Sequence, residues 1–269
     1  MTSHPLYRAF KAPKVAFGAW ITLPGIHSAR IVAQSSPHLS WVMIDCEHGL
    51  TPLNADSAET IQAIAGIGSN YVSPLVRIPA TGTCSSTSWL IKYALDAGAR
   101  GVLVPMVSDP EKAKEIVSDC RFPPAGRRGF GNPLTHLTWN IGTEEYLNSA
   151  NDFITIMVQI ENKEGVENVE QIAAVDGLDV LFIGPYDLSL NLGYPPPFPD
   201  VHPEVEKVIQ KILEVAHRKG KKCGIYCSSG KQAFQRAQQG FDMINVTSDS
   251  AAISEAIVSN LEAAIGQNV

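Results

Sequence analysis

Ile154-Thr155-Ile156-Met157-Val158-Gln159-Ile160-Glu161 is an apolar run rich in β-branched residues that ends abruptly in polar ones. A helical pattern from Gly165 to Val175 follows, and then a second apolar run, Val180-Leu181-Phe182-Ile183, which ends in Gly184-Pro185-Tyr186-Asp187-Leu188-Ser189. Apolar strands separated by a helix read as a βαβ unit whose strands are parallel and buried on both faces. Such a unit brings the ends of its strands to one side of the sheet, so Glu161 and Asp187 are expected close together. Two converging carboxylates repel unless a cation sits between them. The pair is therefore read as a divalent-metal site.

The same alternation extends in both directions. Upstream, strands are expected at Val15 to Thr22, Trp41 to Asp45, Val72 to Ile78 and Gly101 to Pro105. Helices are expected at Ile26 to Gln34, Asn54 to Ile67 and Ser86 to Ala97, with Ala55, Ala58, Ile61 and Ala65 at helical spacing in the second. Asp109-Pro110 is a good helix start for Glu111 to Cys120. A long connection, Arg121 to Gly142, carries Pro123-Pro124, His136 and Trp139; loops of this length often cover active sites. Downstream come a proline-rich loop from Tyr194 to Pro199, a helix from His202 to Lys219, a strand from Lys222 to Tyr226 and a helix from Lys231 to Gln239. A last strand, Asp242 to Val246, precedes a final helix from Ser250 to Ile265. Eight strand–helix alternations point to a (β/α)8 TIM barrel of the α/β class, spanning 1–269 as a single domain. A doubly wound open sheet is the alternative; the GxGxxG fingerprint that would favour it is absent after the first strand.

Composition fits that class. A chain of 269 residues with 45% hydrophobic content suits one barrel with a large core. No apolar run of about 18 residues is present to span a membrane, and Met1 to Lys14 lacks the apolar core of a secretory signal. The net charge of −6 and the absence of a basic run argue against nucleic acid or an anionic membrane as partner. Cys46, Cys84, Cys120, Cys223 and Cys227 are odd in number and unevenly spaced, as expected for free thiols in a reducing cytoplasm rather than a zinc site.

In a barrel, chemistry collects at the carboxyl ends of the strands. The polar residues there are Trp20 and Thr22, then Asp45, Glu47 and His48, then Arg77, Gln159, Glu161 and Asp187. Each also has a plainer role. Glu161 and Asp187 suit rim acids that pair with lysines, and Asp187 suits a helix cap. If they bind metal, two carboxylates without cysteine or clustered histidine favour a hard ion such as Mg2+ or Mn2+, with Co2+ a further candidate. A lone His48 is an ordinary surface or core histidine, but Asp45 three residues earlier could hold its imidazole in one tautomer and raise its basicity. Glu47, pointing to the other side, reads as structural. Arg77 suits either a salt bridge or an oxygen that becomes anionic during reaction. Arg127 and Arg128 lie in a glycine-rich loop and give only a weak anion-site signal.

Together these residues carry a resemblance. Gly18-Ala19-Trp20, Asp45-Cys46-Glu47-His48-Gly49, Leu95-Asp96-Ala97-Gly98-Ala99 and Val104-Pro105-Met106 resemble, in order, motifs of the HpcH/HpaI aldolases. So do Pro123-Pro124-Ala125-Gly126 with Arg128-Gly129, Gln159-Ile160-Glu161 and Gly184-Pro185-Tyr186-Asp187-Leu188-Ser189. These are metal-dependent class II pyruvate aldolases, and the likeness runs from about Val15 to Val246. It implies a barrel whose last helix is exchanged between subunits of a dimer, assembled into a homohexamer. It implies that Glu161 and Asp187 bind the metal, that Arg77 stabilises an enolate oxygen, and that His48, oriented by Asp45, handles the proton of the 4-hydroxyl. Gln159 and the backbone at Gly184-Pro185 would hold the substrate carboxylate, with Trp20 beside it, and Asp96 would reach a neighbouring subunit's site. Two departures touch the side that chooses the aldehyde: a longer segment around Thr81-Gly82-Thr83-Cys84-Ser85-Ser86-Thr87, and Asn132-Pro133 where a small residue is usual.

The expected activity is reversible cleavage of a 4-hydroxy-2-oxo acid into pyruvate and an aldehyde. A Schiff-base mechanism needs a lysine at a strand end, and Lys92, Lys112 and Lys163 fall in helices or loops. Alternatives are an oxaloacetate decarboxylase using the same pyruvate enolate, a lyase of coenzyme A thioesters of the citrate or malyl type, and a non-catalytic keto-acid sensor.

Overall fold

The computed structural model describes residues 3–68, 72–79, 86–197 and 200–266. Its strands are β1 (Ala16–Ile21), β2 (Leu39–Asp45), β3 (Ser73–Arg77), β4 (Gly101–Val104), β5 (Thr155–Ile160), β6 (Val180–Ile183), β7 (Lys222–Ile225) and β8 (Met243–Ser248). Each pairs in parallel with the next, and β8 returns to β1, closing a (β/α)8 barrel. The helices in chain order are α1 (Pro5–Lys11), α2 (Ile26–Gln34), α3 (Asp56–Ala65), α4 (Ser88–Asp96), α5 (Pro110–Cys120), α6 (Thr135–Thr138) and α7 (Thr143–Phe153). After β5 come α8 (Lys163–Glu167), α9 (Val169–Ala173), α10 (Pro185–Asn191), α11 (Pro203–Arg218), α12 (Gly230–Gln238) and α13 (Asp249–Ala264).

Strand side chains alternate between two cores. Those pointing inward, among them Trp20, Trp41, Met43, Leu75, Leu103, Met157 and Phe182, fill the barrel. Their neighbours in sequence, such as Val42, Ile44, Val76, Val102 and Val158, pack outward against the helices. Both faces are dry, which is why the strands read as unbroken apolar runs. One position needs glycine for space: a Cβ at Gly18 would occupy the Trp41 indole. That ring fits inside the barrel and donates from Nε1 to the Ala16 carbonyl at 2.9 Å.

The amino end of the barrel is closed by α1, which the sequence reading left without structure. Leu6 enters the inner core fully buried. Just ahead of it the buried His4 bonds Ser73 Oγ (2.7 Å) and the Phe153 carbonyl (2.8 Å). Burial, with the nearby Arg100 charge, pulls the His4 pKa down to about 3, so a neutral imidazole seats this plug.

The connection after α5 is less open than expected. It contains α6, and α7 was not anticipated at all. Trp139 is buried edge-on against Tyr146 with centroids 5.0 Å apart, and the Arg100 guanidinium lies 3.7 Å above its ring. Trp139 is thus a packing residue rather than part of a cover. The Asp109 cap forms as expected, its carboxylate accepting from the Lys112 N–H at 2.8 Å. The helix expected over 165–175 is divided in two at Asn168. Cys46, Cys120, Cys223 and Cys227 are free and buried; Cys84 and the rest of 80–85 lie outside the described residues. No described helix is long and apolar enough to cross a membrane.

Candidate active site

The carboxyl end of the barrel gathers most of the residues singled out above. Asp45 and Arg77 are register partners on β2 and β3, and both point into the mouth. Asp45 Oδ1 accepts from Arg77 Nε at 2.9 Å and Oδ2 from Nη2 at 2.6 Å, a two-pronged pair with both partners buried. Burial alone would raise the Asp45 pKa, but the hydrogen bonds and charge of Arg77 outweigh it and hold the carboxyl below its ordinary value. The same contact, helped by Glu47, overcomes desolvation at Arg77 and keeps its pKa raised.

Two expectations change here. Asp45 was read as the group that orients the His48 imidazole. Its carboxylate instead holds Arg77 and accepts from the backbone N–H groups of Glu47 (3.1 Å) and His48 (3.2 Å). It therefore fixes the loop on which His48 rides, while the imidazole, with a 67% exposed side chain, has Glu47 Oε2 as its nearest carboxylate, at 3.8 Å. Glu47, read as structural, belongs to the site: its Oε2 lies 3.0 Å from Arg77 Nη1. The signal was present in sequence. Asp45 and Glu47 are two apart and share a face wherever extended backbone continues past a strand's end.

On the opposite wall Glu161 is 2% exposed. Its Oε1 accepts from the Met106 N–H at 2.8 Å, and Oε2 accepts from Gln159 Nε2. Met106 has a positive φ of 55°, an uncommon geometry for a side-chain-bearing residue, and the turn aims its N–H at the carboxylate. Burial drives the Glu161 pKa up to about 8, and the charges of Asp187 and Glu47 push in the same direction. Glu47 is likewise raised, first by burial, then by Asp45 and Asp187 against Arg77 and His48. Asp187 sits in the first turn of α10, half-buried. Gly184 passes so close that a Cβ there would strike Glu161 Oε2 and Gln159 Nε2.

Trp20, Asp45, His48, Arg77, Gln159, Gly184, Pro185 and Asp187 all line one cavity of about 330 Å3. The Arg77 guanidinium stacks 5.2 Å from the Trp20 ring centroid. Tyr226, Ser248 and Ser250 also line it and were not singled out from sequence. Asp96 does not line this cavity. It ends α4, ion-paired to Lys92 and 2.9 Å from Arg128 Nη2.

The donors fit a hard cation. Gln159 Oε1 is buried with no hydrogen-bond partner among the described residues. Asp187 and Glu47 lie close enough to Glu161 for their charges to raise its carboxyl further, and the absent side chain at Gly184 leaves room beside Glu161 Oε2. Among the described residues no three histidines, cysteines or acids converge as a complete ligand set. Two carboxylates would leave the remaining positions of such an ion to water and substrate.

The family model described as HpcH/HpaI aldolase/citrate lyase matches residues 18–256. The chain belongs to that family. It is 35% identical over 241 residues to a hydroxypyruvate/pyruvate aldolase of Chromohalobacter salexigens, covering 89% of each. It is 34% identical to a 2-keto-3-deoxy-L-rhamnonate aldolase of Klebsiella pneumoniae, covering 96% of this chain and 91% of the relative. An HpcH/HpaI aldolase/citrate lyase family protein from Burkholderia cenocepacia superposes with a TM-score of 0.85 at 31% identity, over 97% of this chain and 98% of the other.

Proposed function

We propose that this protein is a class II pyruvate aldolase, a carbon–carbon lyase that reversibly splits a 4-hydroxy-2-oxo acid into pyruvate and an aldehyde. The observation that carries the reading is the meeting, on the wall of one small cavity, of the clamped Arg77 guanidinium with His48, Gln159 and Asp187, with the Glu161 carboxyl buried behind Gln159 and Gly184. Glu161 and Asp187 would hold a divalent cation, Mg2+, Mn2+ or Co2+, with Gln159 beside them. Such an ion supplies a Lewis acid for the 2-oxo group, a contribution worth several kcal/mol.

The chain's own groups have these roles. Arg77, held rigid by Asp45 and Glu47, presents preorganised positive charge to the C2 oxygen as electrons move onto it. His48, on the loop fixed by Asp45, takes the proton of the C4 hydroxyl directly or through water. The C3–C4 bond then breaks, its electron pair enters the pyruvate enolate, and the aldehyde leaves; a proton delivered to C3 completes pyruvate. Gln159 and the backbone at Gly184-Pro185 orient the substrate carboxylate, and Trp20 walls the pocket beside Arg77. Asp96 serves a neighbouring subunit's site.

The working unit is a single barrel domain, cytoplasmic and oligomeric, with α13 exchanged between copies of a dimer and three dimers forming a hexamer. In support, Ile253, Ile257, Val258, Leu261 and Ile265 are all exposed on or just after α13. An open, largely apolar groove of about 750 Å3 runs alongside, lined by Phe17, Ile31, Val32 and Phe234.

Turnover of pyruvate with a panel of aldehydes by the metal-loaded protein tests the activity. Glu161→Ala should abolish its metal dependence, and a variant equally active without added metal would remove the assignment. If no aldehyde is accepted while oxaloacetate is consumed rapidly, the same site works as a decarboxylase.

A further inference from the structure

Glu47 has so far been given one task, to help hold Arg77. Its position suits a second. The side chain is 8% exposed and does not line the cavity, but it lies against two residues that do. A single oxygen, Oε2, is 3.0 Å from Arg77 Nη1 and 3.8 Å from His48 Nε2. Its own backbone N–H is fixed by Asp45 Oδ1 at 3.1 Å. Asp45 is otherwise engaged: both its oxygens hold Arg77, and Oδ1 also takes the Glu47 and His48 N–H groups.

The chemistry assigned to His48 creates a charge that this corner must accommodate. An imidazole that takes a hydroxyl proton becomes a cation, and Arg77 is a permanent cation on the other side of the same carboxylate oxygen. Two like charges disfavour each other's formation unless an anion stands between them. Burial pushes the Glu47 carboxyl up, while the charges of Arg77 and His48 pull against it, so both lie within reach of its field. A ring nitrogen that faces a carboxylate carries the hydrogen, which leaves the other nitrogen its lone pair. At 3.8 Å the His48 contact is longer than a hydrogen bond. The imidazole is 67% exposed and free to turn, and contacts of a catalytic base commonly tighten as substrate closes the site.

We infer that Glu47, rather than Asp45, is the carboxylate partner of His48: it draws Nε2–H toward Oε2, leaves Nδ1 to take the C4 hydroxyl proton, and offsets the positive charge the ring then gains. This rests on the aldolase reading and deepens it. The proton passes from the C4 oxygen to Nδ1, the O–H electron pair becomes part of the aldehyde carbonyl, and the C3–C4 pair enters the enolate. Glu47 is a positioning residue that acts through His48. It does not touch the substrate.

The test compares two reactions of the metal-loaded, full-length protein: cleavage of 4-hydroxy-2-oxopentanoate and decarboxylation of oxaloacetate. Both need Arg77 at the enolate oxygen, but only cleavage takes a proton from a hydroxyl. Glu47→Gln keeps the shape and an oxygen for Arg77 Nη1 while removing the charge. Its kcat for cleavage should fall by about 10- to 30-fold, and that for decarboxylation by about threefold or less. Added to His48→Ala, Glu47→Gln should cause no further loss of cleavage, because the two residues act as one unit. Glu47→Asp, which keeps the charge, should recover part of the cleavage rate.

Equal losses in the two reactions would mean that Glu47 only holds Arg77, and would overturn the inference. So would a full, independent loss on top of His48→Ala. If Glu47→Gln does not fold, the same selective loss is read, in smaller measure, from Glu47→Asp. A parent that decarboxylates without cleaving has no hydroxyl proton to take, which removes the role of Glu47 alone; a parent that does neither overturns the aldolase reading as well.

Discussion

Replacing Glu161 by Gln in metal-free protein should raise stability at alkaline pH and leave it nearly unchanged in mild acid. A carboxyl whose pKa climbs from its ordinary 4.5 to about 8 on folding carries an ionisation penalty of about 5 kcal/mol once both values are exceeded. Local relaxation and water entry reduce that, and roughly 2–3 kcal/mol is the working figure. Because the folded value is the higher one, the penalty is absent below pH 4.5, grows as pH rises, and is complete above about pH 8. The amide keeps an oxygen for the Met106 N–H but cannot ionise. Thermal melts in chelator should therefore coincide near pH 5 and separate by roughly 4–12 °C near pH 9, with Glu161→Gln the more stable. Adding Mg2+ or Mn2+ should reverse the order, because only the parent gains the binding free energy in full. Parallel pH profiles for the two proteins in chelator, or equal stabilisation of both by metal, would refute the account of Glu161 as an uncompensated buried acid awaiting a cation.

Other substitutions separate the remaining roles. Arg77→Lys removes the fork that spans Asp45 and Glu47; kcat for cleavage should fall by about 100- to 1,000-fold, with KM for the 2-oxo acid far less affected in steady-state assays. His48→Ala should slow aldol cleavage by about 100-fold or more while sparing oxaloacetate decarboxylation, which takes no proton from a hydroxyl. Unchanged cleavage would dismiss His48 as the base. Gly18→Ala drives a methyl into the Trp41 indole; a loss of about 3 kcal/mol, seen as a melting temperature lower by roughly 6–12 °C, is expected far from any change in catalysis.

The barrel was legible because its strands are dry on both faces, so each appears as a short apolar run ended by polar or turn residues. α2 matched its expected limits, and β6 did so as well. What escaped notice was held by long-range contacts. α1 is only seven residues long, too short to signal by periodicity, and Leu6 reveals its purpose only once the barrel around it exists. α7 carried readable marks, Glu144-Glu145 in the first turn and Tyr146 with Ala150 on one face, but lay unassigned between the long connection ending at Gly142 and the strand that follows. In the site, residues at strand ends were identified by type and position. Their pairing was not. That Asp45 serves Arg77 rather than His48 depends on the β2–β3 register, which a single sequence does not contain. Tyr226, Ser248 and Ser250 were missed because hydroxyls near turns are too common to stand out.

Charge balance separates the part of this mouth that is structural from the part that suits chemistry. Asp45 and Arg77 neutralise each other at contact distance, and a pair of that kind could have been structural. Glu47 shares the same guanidinium, so Glu161 and Asp187 then remain, and no further arginine or lysine is among the described residues lining the cavity. Burial first, and then the charges of neighbouring acids, push the carboxyls of Glu47 and Glu161 upward. Ionising such a buried acid costs several kcal/mol unless a cation compensates it, and local rules are commonly broken in this way at functional sites. The sharply bent Met106 and the bare Gly184 both serve this acidic wall, one by donating to it and the other by clearing space before it. Packing alone gives no use for two backbone specialisations and a buried acid at one spot; an electrophile-assisted reaction on a 2-oxo acid gives a use for both.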